Sequence, residues 1–127
     1  MATDFQIATE DRPGELAKIG EAMGKAGVNI EGLCGFGTGS EGIVHICVLD
    51  ATSARIALED AGLSIAEVSD AILTDPFSGS QEPGTLGKMA RAIADAGVNV
   101  RVLYVATGDR GVLVTDNNAK AATVMGG

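Results

Sequence analysis

A segment of eighteen residues occurs twice in this chain, and the duplication limits the folds that the chain can adopt. Residues 13–30 align with residues 83–100 without a gap, and nine of the eighteen positions are identical. The identities include a Pro-Gly pair at the start and the run Ala-Gly-Val-Asn near the end. A period of seventy residues is too long for a solenoid repeat. We therefore predict two copies of a domain-sized element.

Each copy predicts a helix followed by a strand. Pro13 and Pro83 mark helix starts, because proline fixes φ and its missing N–H is not needed in the first turn. Gly27 and Gly97 end the helices, since glycine accepts the left-handed conformation found there. Residues 28–30 and 98–100 then lead into strands. The predicted buried stripes are Leu16, Ile19, Met23 and Ala26 in the first helix and Leu86, Met89, Ile93 and Ala96 in the second.

The remaining segments complete the order strand, helix, strand, strand, helix, strand. The first unit is predicted to have strands at 5–9, 28–36, 43–49 and 64–74, with a helix that ends near residue 26 and another capped by Asp50. This order is typical of the α+β ferredoxin-like βαββαβ fold, an antiparallel sheet covered by helices on one face. We predict one unit at 1–70 and a second at 71–127.

The second unit is predicted to be shorter than the first. A helix at 84–96, strands at 98–106 and 112–115, and a last helix capped within 116–118 account for its sequence up to about residue 125. Nothing is left for a closing strand. The second unit is therefore either truncated or takes strand length from residues 65–77.

Composition and charge exclude several classes of partner. The net charge is −8 and the pI is about 4.4, whereas nucleic-acid partners require a basic surface. No apolar run is long enough for a membrane helix, and the first residues lead into a strand rather than a leader peptide. We expect a cytoplasmic protein with neither nucleic-acid nor membrane partners. Cys34 and Cys47 are too few for a disulfide framework.

The loop at residues 37–42 has the spacing G-x-G-x-x-G of a dinucleotide-binding loop. That function requires the loop to open a helix, so that the pyrophosphate lies at the helix N-terminus. Here a strand follows, at residues 43–49. The sequence therefore favours a flexible hairpin loop over a nucleotide site.

No set of side chains predicts catalysis or metal binding. His45 lies on an alternating strand, with no second histidine and no carboxylate partner at a useful spacing. One alternative places the two cysteines opposite each other on neighbouring strands, although buried small hydrophobic residues are the simpler interpretation. We predict no enzymatic activity, no metal and no cofactor.

The start of each repeated helix is the candidate binding site. Backbone N–H groups at a helix N-terminus attract anions, and glycine lets a carboxylate approach the backbone closely. Gly14, with Asp11, Arg12 and Asn29, could hold an amino acid by its carboxylate and ammonium groups. The alternative is that Pro13-Gly14 only starts a helix and that Asn29 only begins a strand.

Two segments resemble a known family. Asp11-Arg12-Pro13-Gly14-Glu15-Leu16, followed by residues 26–30, resembles the ACT domain, a small βαββαβ regulatory module of amino-acid metabolism. Residues 82–86 and 96–100 resemble a second ACT domain. The resemblance covers nearly the whole chain and implies a stand-alone protein of two ACT units without a catalytic domain.

The resemblance also implies an effector site between ACT units, built from the loop after the first strand and the strand after the first helix of a neighbouring unit. The site residues that it implies in the first copy are Thr9, Asp11, Arg12, Pro13, Gly14, Leu16 and Asn29. Those of a second, weaker site are Gly79, Gln81, Gly84, Leu86 and Asn99. The second site is expected to be weaker because Gln81-Glu82 replaces Asp11-Arg12 and removes a positive charge.

Two functions are compatible with these features. The first is a regulatory sensor that binds an amino acid or similar effector at an ACT–ACT interface and signals to a partner protein. The alternative is a structural or protein-interaction module that dimerises through its sheet and binds no metabolite. In both, an uncovered sheet edge favours a homodimer.

Overall fold

The computed structural model describes residues 2–75 and 83–125 and divides into two compact units, residues 1–70 and 71–127. All strand pairs described below are antiparallel. The strands are β1 (Ala2–Glu10), β2 (Gly32–Gly37), β3 (Glu41–Val48), β4 (Ser64–Leu73), β5 (Val100–Ala106) and β6 (Arg110–Thr115), and the helices are α1 (Glu15–Ala26), α2 (Ala51–Asp60), α3 (Thr85–Asp95) and α4 (Asn118–Val124). The predicted α+β class with ferredoxin-like units is confirmed.

In the first unit β3 lies between β1 and β2. Phe5 is opposite Ile46 in β1 and β3, and Leu33 is opposite that same residue in β2. Alternate residues of β1 and β3 face α1 and α2, because successive side chains of a strand point to opposite faces. The buried core is Phe5, Ile7, Ile19, Met23, Val28, Val44, Ile46, Val48, Ala54 and Leu58.

The second unit repeats this strand order with β6 in the middle. Ile72 and Leu73 of β4 pair with Leu113 and Val112 of β6, so β4 has the place in this unit that β1 has in the first. Residues 72 and 73, which lie within the segment 65–77, are thus paired in the second unit, where they stand in the place of an opening strand rather than of the closing one. Within the described residues, which end at Met125, no strand follows α4. The core is Ile93, Val98, Leu113 and Ala121, and Tyr104, opposite Val112, is also buried.

The predicted strand starts at residues 28 and 98 were too early. The N–H of Val28 donates to the Met23 carbonyl at 2.9 Å, and the N–H of Val98 donates to the Ile93 carbonyl at 3.2 Å. These bonds close the ends of α1 and α3. The strands begin only at Gly32 and Val100, after a few residues of irregular chain.

The predicted buried stripes were wrong at Leu16, Ala26 and Leu86, whereas Met89 and Ala96 pack against the core. Ile19, Met23 and Ile93 are fully buried, but Leu16 is 60 % exposed and Leu86 is 58 % exposed. Ala26 is exposed as well. Leu16 and Leu86 occupy the second position of their helices, beyond the region where the helix packs on the sheet. Each unit thus presents a leucine to solvent beside its first helix start.

The predicted caps of the later helices are confirmed. The Asp50 carboxylate accepts a hydrogen bond from the N–H of Ser53 at 3.1 Å, at the start of α2. At the start of α4 the Asn117 side-chain oxygen accepts from the N–H of Lys120 at 3.1 Å. No helix in the described ranges has both the length and the apolar character required to cross a membrane.

Candidate functional site

Each unit begins its first helix with a glycine in the left-handed region. Gly14 has φ 94° and ψ −14°, and Gly84 has φ 96° and ψ −6°. In the described part of the chain no side chain caps either helix. The first turn of a helix has N–H groups without intrahelical partners. Both helix starts are therefore able to accept an anion at the backbone.

Backbone conformation, rather than close approach of a ligand, explains why glycine occupies these two positions. A Cβ atom at Gly14 or Gly84 would meet no heavy atom within 4 Å, so crowding does not require glycine. The positive φ does, because an L side chain in this region costs about 1–2 kcal/mol. Any larger residue would strain the turn before it affected a ligand.

The Asp11 side chain is used to hold the loop between β2 and β3. The N–H of Gly39 donates to Asp11 Oδ2 at 2.9 Å, and the N–H of Asp11 donates to the Ser40 carbonyl at 3.3 Å. A Cβ atom at Gly37 would overlap the Asp11 carboxylate. The Asp11 carboxylate is thus bound to this loop, and its predicted contact with a ligand stays a prediction.

The glycine-rich loop is the predicted hairpin. Gly37 pairs with Gly42 at the end of the β2–β3 ladder, and the N–H of Thr38 donates to the Glu41 carbonyl at 2.8 Å. A Cβ atom at Gly42 would overlap Oγ1 of Thr9. The G-x-G-x-x-G spacing therefore provides room for Asp11 and Thr9, and the loop opens a strand rather than a helix.

Charged side chains surround the start of α1. Arg12 lies 2.7 Å from Glu10 and 3.7 Å from Glu15, and Lys18 lies 2.9 Å from Glu15. The hydrogen bond from Lys18 is the main cause that lowers the pKa of the Glu15 carboxyl below its usual range. A ligand carboxylate would have to compete with Glu10 and Glu15 for Arg12.

Asn29 lies at the opposite end of α1 from Gly14. The helix has twelve residues, which corresponds to a length of about 18 Å. The Asn29 side chain donates to Glu31 Oε2 at 2.7 Å. One small molecule cannot touch both residues of the same unit. The predicted pairing of Gly14 with Asn29 in a single unit is therefore excluded by the helix length, and only an Asn29 from elsewhere could complete the site.

The second copy is described in part. Gly84 and Leu86 start α3 as Gly14 and Leu16 start α1, while Gly79 and Gln81 lie outside the described residues. The N–H of Asn99 donates to Asp116 Oδ1 at 3.0 Å, and the N–H of Asp116 donates to the Asn99 carbonyl at 3.1 Å. Thr85 occupies the position that Glu15 has in the first copy.

Sequence reasoning missed a buried hydrogen bond between two side chains. His45 Nδ1 lies 2.8 Å from Asp4 Oδ2, and their side chains are only 10 % and 3 % exposed. Asp4 belongs to β1, which begins at Ala2 rather than at the predicted residue 5. Asp4 is opposite Cys47, two residues from His45, so the pair is diagonal. Alternation extended back to Ala2 would have included Asp4 in β1, but it would not have shown which residue of β3 lies nearest to it.

The two cysteines do not face each other, which removes the less favoured alternative, and Cys47 is buried as the simpler interpretation predicts, while Cys34 is half-buried. Cys34 is opposite His45 and Cys47 is opposite Gly32, and neither forms a disulfide. Burial, and secondarily the charge of Asp4, raises the pKa of the Cys34 thiol. A protonated thiol is a poor nucleophile. Among residues 2–75 and 83–125, no three His, Cys, Asp or Glu side chains are placed to hold a metal ion.

Comparison with known proteins identifies a family. The model of a family described as an ACT domain pair matches residues 1–126. No curated protein sequence matches the chain.

Solved structures share the fold at low sequence identity. A Bacteroides thetaiotaomicron protein is 24 % identical with a TM-score of 0.78, over 97 % of this chain and 85 % of that one. The regulatory subunit of Thermus thermophilus aspartate kinase is 22 % identical with a TM-score of 0.69, over 98 % and 87 %. Clostridium acetobutylicum aspartate kinase is 16 % identical with a TM-score of 0.70, over 98 % of this chain and 32 % of that enzyme.

Proposed function

We propose, from the premise that this chain belongs to the family of ACT domain pairs, that it is a regulatory sensor of an amino acid or a similar small molecule. Family membership supports a regulatory role, and one structurally similar protein is the regulatory subunit of a kinase. In this proposal the chain has no catalytic activity of its own.

The observation that carries the proposal is the shared geometry of the two helix starts. Gly14 and Gly84 have nearly the same φ and ψ, and neither helix has a side-chain cap. The flanking residues differ, with Glu15 in one unit and Thr85 in the other. A backbone site that is kept while its side chains change is in keeping with recognition of a group common to all amino acids, the α-carboxylate.

The proposed ligand lies against the first turn of α1. Its carboxylate accepts hydrogen bonds from the N–H groups that follow Gly14, and Leu16 forms an apolar wall. Arg12 contributes positive charge, and Pro13 fixes the turn. Because α1 separates Gly14 from Asn29, the asparagine comes from a second copy of the chain in a homodimer. Thr9 and Asp11 support the loop from behind through their contacts with Gly42 and Gly39.

The proposed second site is built on Gly84 and Leu86, together with Gly79 and Gln81, and its Asn99 comes from a second copy of the chain, because the eleven residues of α3 separate Gly84 from Asn99. Ligand binding stabilises one arrangement of the ACT units over another, and a partner protein responds to that change. This is allostery in the thermodynamic sense, because the ligand and the partner each favour the same state.

A thermal-shift screen with the twenty amino acids tests the proposal. A molecule that binds only the folded state stabilises it by about 2.7 kcal/mol at one hundred times its Kd. We expect at least one amino acid to raise the Tm of the protein.

Leu16→Asp and Leu86→Asp then assign the site. Both leucines are largely exposed, and an acidic residue is favourable in the first turn of a helix, so the fold should be retained. The new carboxylate repels a ligand carboxylate, and we expect at least about tenfold weaker binding for Leu16→Asp, which corresponds to 1.4 kcal/mol, and a smaller loss for Leu86→Asp. Leu49→Asp is the matched control, because Leu49 is also exposed, at 59 %, and lies outside the site.

Two results would refute the sensor. One is a Tm that no amino acid changes, and a stable protein complex from a pull-down would then favour the interaction module. The other is equal weakening by Leu49→Asp, which would show that charge at any position acts. Light scattering of the purified protein checks the homodimer separately.

A further inference from the structure

Two loops of the first unit are joined to each other. We define the ligand loop as residues 11–14 and the hairpin tip as residues 37–42. The N–H of Gly39 donates to Asp11 Oδ2 at 2.9 Å, and the N–H of Asp11 donates to the Ser40 carbonyl at 3.3 Å. Thr9, at the end of β1, packs on Gly42. The ligand loop is therefore held from one side by the tip.

The contact is close enough to require glycine. A Cβ atom at Gly37 would overlap all three carboxylate atoms of Asp11, although Gly37 does not have a positive φ. Gly20 and Gly24 of α1, in contrast, have open space around them. Space rather than backbone conformation thus explains Gly37, and the space is filled by Asp11.

We propose that Asp11 is a positioning residue that couples the ligand loop to the hairpin tip, so that occupancy of the α1 start and the position of the tip change together. Proline fixes φ at position 13. A movement of Gly14 therefore reaches Asp11 through a stiff segment of only three peptide bonds. The Asp11 carboxylate then keeps or loses the Gly39 N–H. This inference rests on the proposed function, because it assigns the regulation of the same site.

The second unit has a different tip. Thr107–Asp109 forms a short 3-10 turn, and Arg110 donates from Nε to the Thr107 carbonyl and from a terminal nitrogen to Thr107 Oγ1, both at 2.8 Å. The 3-10 turn is thus held by the side chain of Arg110, the residue that follows it. The sequence has Gln81 where the first copy has Asp11. The coupling is therefore assigned to the first unit.

Amide exchange and chemical shifts, followed by NMR on the ligand-free protein, test the coupling directly. In Asp11→Ala the Gly39 amide should exchange at least tenfold faster, because its acceptor is removed. Asp11→Asn keeps an oxygen acceptor and should restore most of the protection. Gly37→Ala displaces the Asp11 carboxylate while the sequence of the ligand loop stays the same. It should therefore shift the amide resonances of residues 15–17. Gly24→Ala is the control and should shift neither the Gly39 amide nor the resonances of the ligand loop.

Unchanged Gly39 exchange in Asp11→Ala would overturn the coupling, and so would unchanged resonances at residues 15–17 in Gly37→Ala. The second part adds each of the twenty amino acids at millimolar concentration. An amino acid that raises Tm should shift the Gly39 resonance in the wild type but not in Asp11→Ala, and an equal shift in both would overturn the regulatory role. If no amino acid binds, the sensor fails while the ligand-free measurements still decide whether the loops are coupled.

Discussion

The first helices of the two units start with the same backbone and different side chains. Gly14 and Gly84 have φ values of 94° and 96°. Their carbonyls accept hydrogen bonds from the backbone N–H groups of Lys18 and Lys88, at 3.1 and 3.0 Å. The first unit has Glu15 after this turn and a glycine-rich tip on its hairpin, whereas the second has Thr85 after the turn and a 3-10 turn in its hairpin. The backbone conformation of the turn is thus the same in both units, and the side chains that follow it differ.

The largest expected effect tests whether the two turns are equivalent. Gly14→Ala and Gly84→Ala should each destabilise the protein by about 1–2 kcal/mol, because alanine pays the cost of a positive φ. Asparagine tolerates this region better, so Gly14→Asn and Gly84→Asn should lose less. Urea unfolding measures all four variants. A loss at one glycine only would show that the turns are not equivalent.

These values also correct a simpler expectation about Gly14. If Gly14 only allowed a ligand to approach the backbone closely, Gly14→Val would abolish ligand binding and leave the fold intact, and Gly84→Val would have a smaller effect. Valine at φ 94° strains the backbone, and Gly84 has the same conformation. Both valine variants should therefore lower stability, and neither isolates ligand binding as Leu16→Asp does.

The caps of the second helix in each unit, Asp50 at α2 and Asn117 at α4, should give effects of intermediate size. Asn117→Ala should cost about 1 kcal/mol at every pH, because the asparagine side chain does not titrate. The pKa of Asp50 is lowered mainly by the hydrogen bond from the Ser53 N–H. A carboxyl with a lower pKa in the folded state stabilises the fold above its unfolded pKa, and this contribution is lost as pH falls through the folded pKa.

The loss caused by Asp50→Ala should therefore diminish on acidification, while that caused by Asn117→Ala should not. Denaturant unfolding at neutral pH and at a pH below the Asp50 pKa distinguishes the two. Asp50→Asn serves as the control, since it keeps an oxygen acceptor without the charge. A loss for Asp50→Ala that is the same at both pH values would contradict this account.

The smallest effect concerns Glu15, which has no titrating counterpart because the second unit has Thr85. Lys18 is the main cause of the lowered pKa of Glu15, so the titration midpoint of this carboxyl should rise toward its ordinary value in Lys18→Met. Carbon-detected NMR titration measures the midpoint. Any stability gained from Glu15 should likewise disappear as the pH falls through its folded pKa. An unchanged midpoint in Lys18→Met would assign the shift to another neighbour.

Local signals made most of the fold predictable. Pro-Gly helix starts, the glycines after α1 and α3, and the caps at Asp50 and Asn117 all act within a few residues, and the elements formed where those residues indicated. Helix length was also available from the sequence, and it would have shown that Gly14 and Asn29 cannot meet within one unit. The shared turn at Gly14 and Gly84 was therefore found from sequence, while the set of ligand-binding side chains around it stays a prediction.

What the sequence did not reveal depends on strand register. Asp4 reaches His45 across forty-one positions of the chain, and Asp11 reaches Gly39 across twenty-eight. Such contacts follow from which residues lie opposite each other in β1, β2 and β3, and no short-range pattern encodes them. The exposure of Leu16 and Leu86 could not be predicted from sequence either, because helical spacing does not show where the sheet beneath a helix ends.

Tyr104 gives the second unit a spectroscopic reporter that needs no label. It is the one tyrosine of a chain without tryptophan, and it is buried in β5. Its intrinsic fluorescence therefore follows the packing around residues 100–115, and no indole emission obscures the signal. Far-ultraviolet circular dichroism records the helices of both units together, so the two optical signals, recorded on one sample, distinguish local loosening near β5 from unfolding of the whole chain.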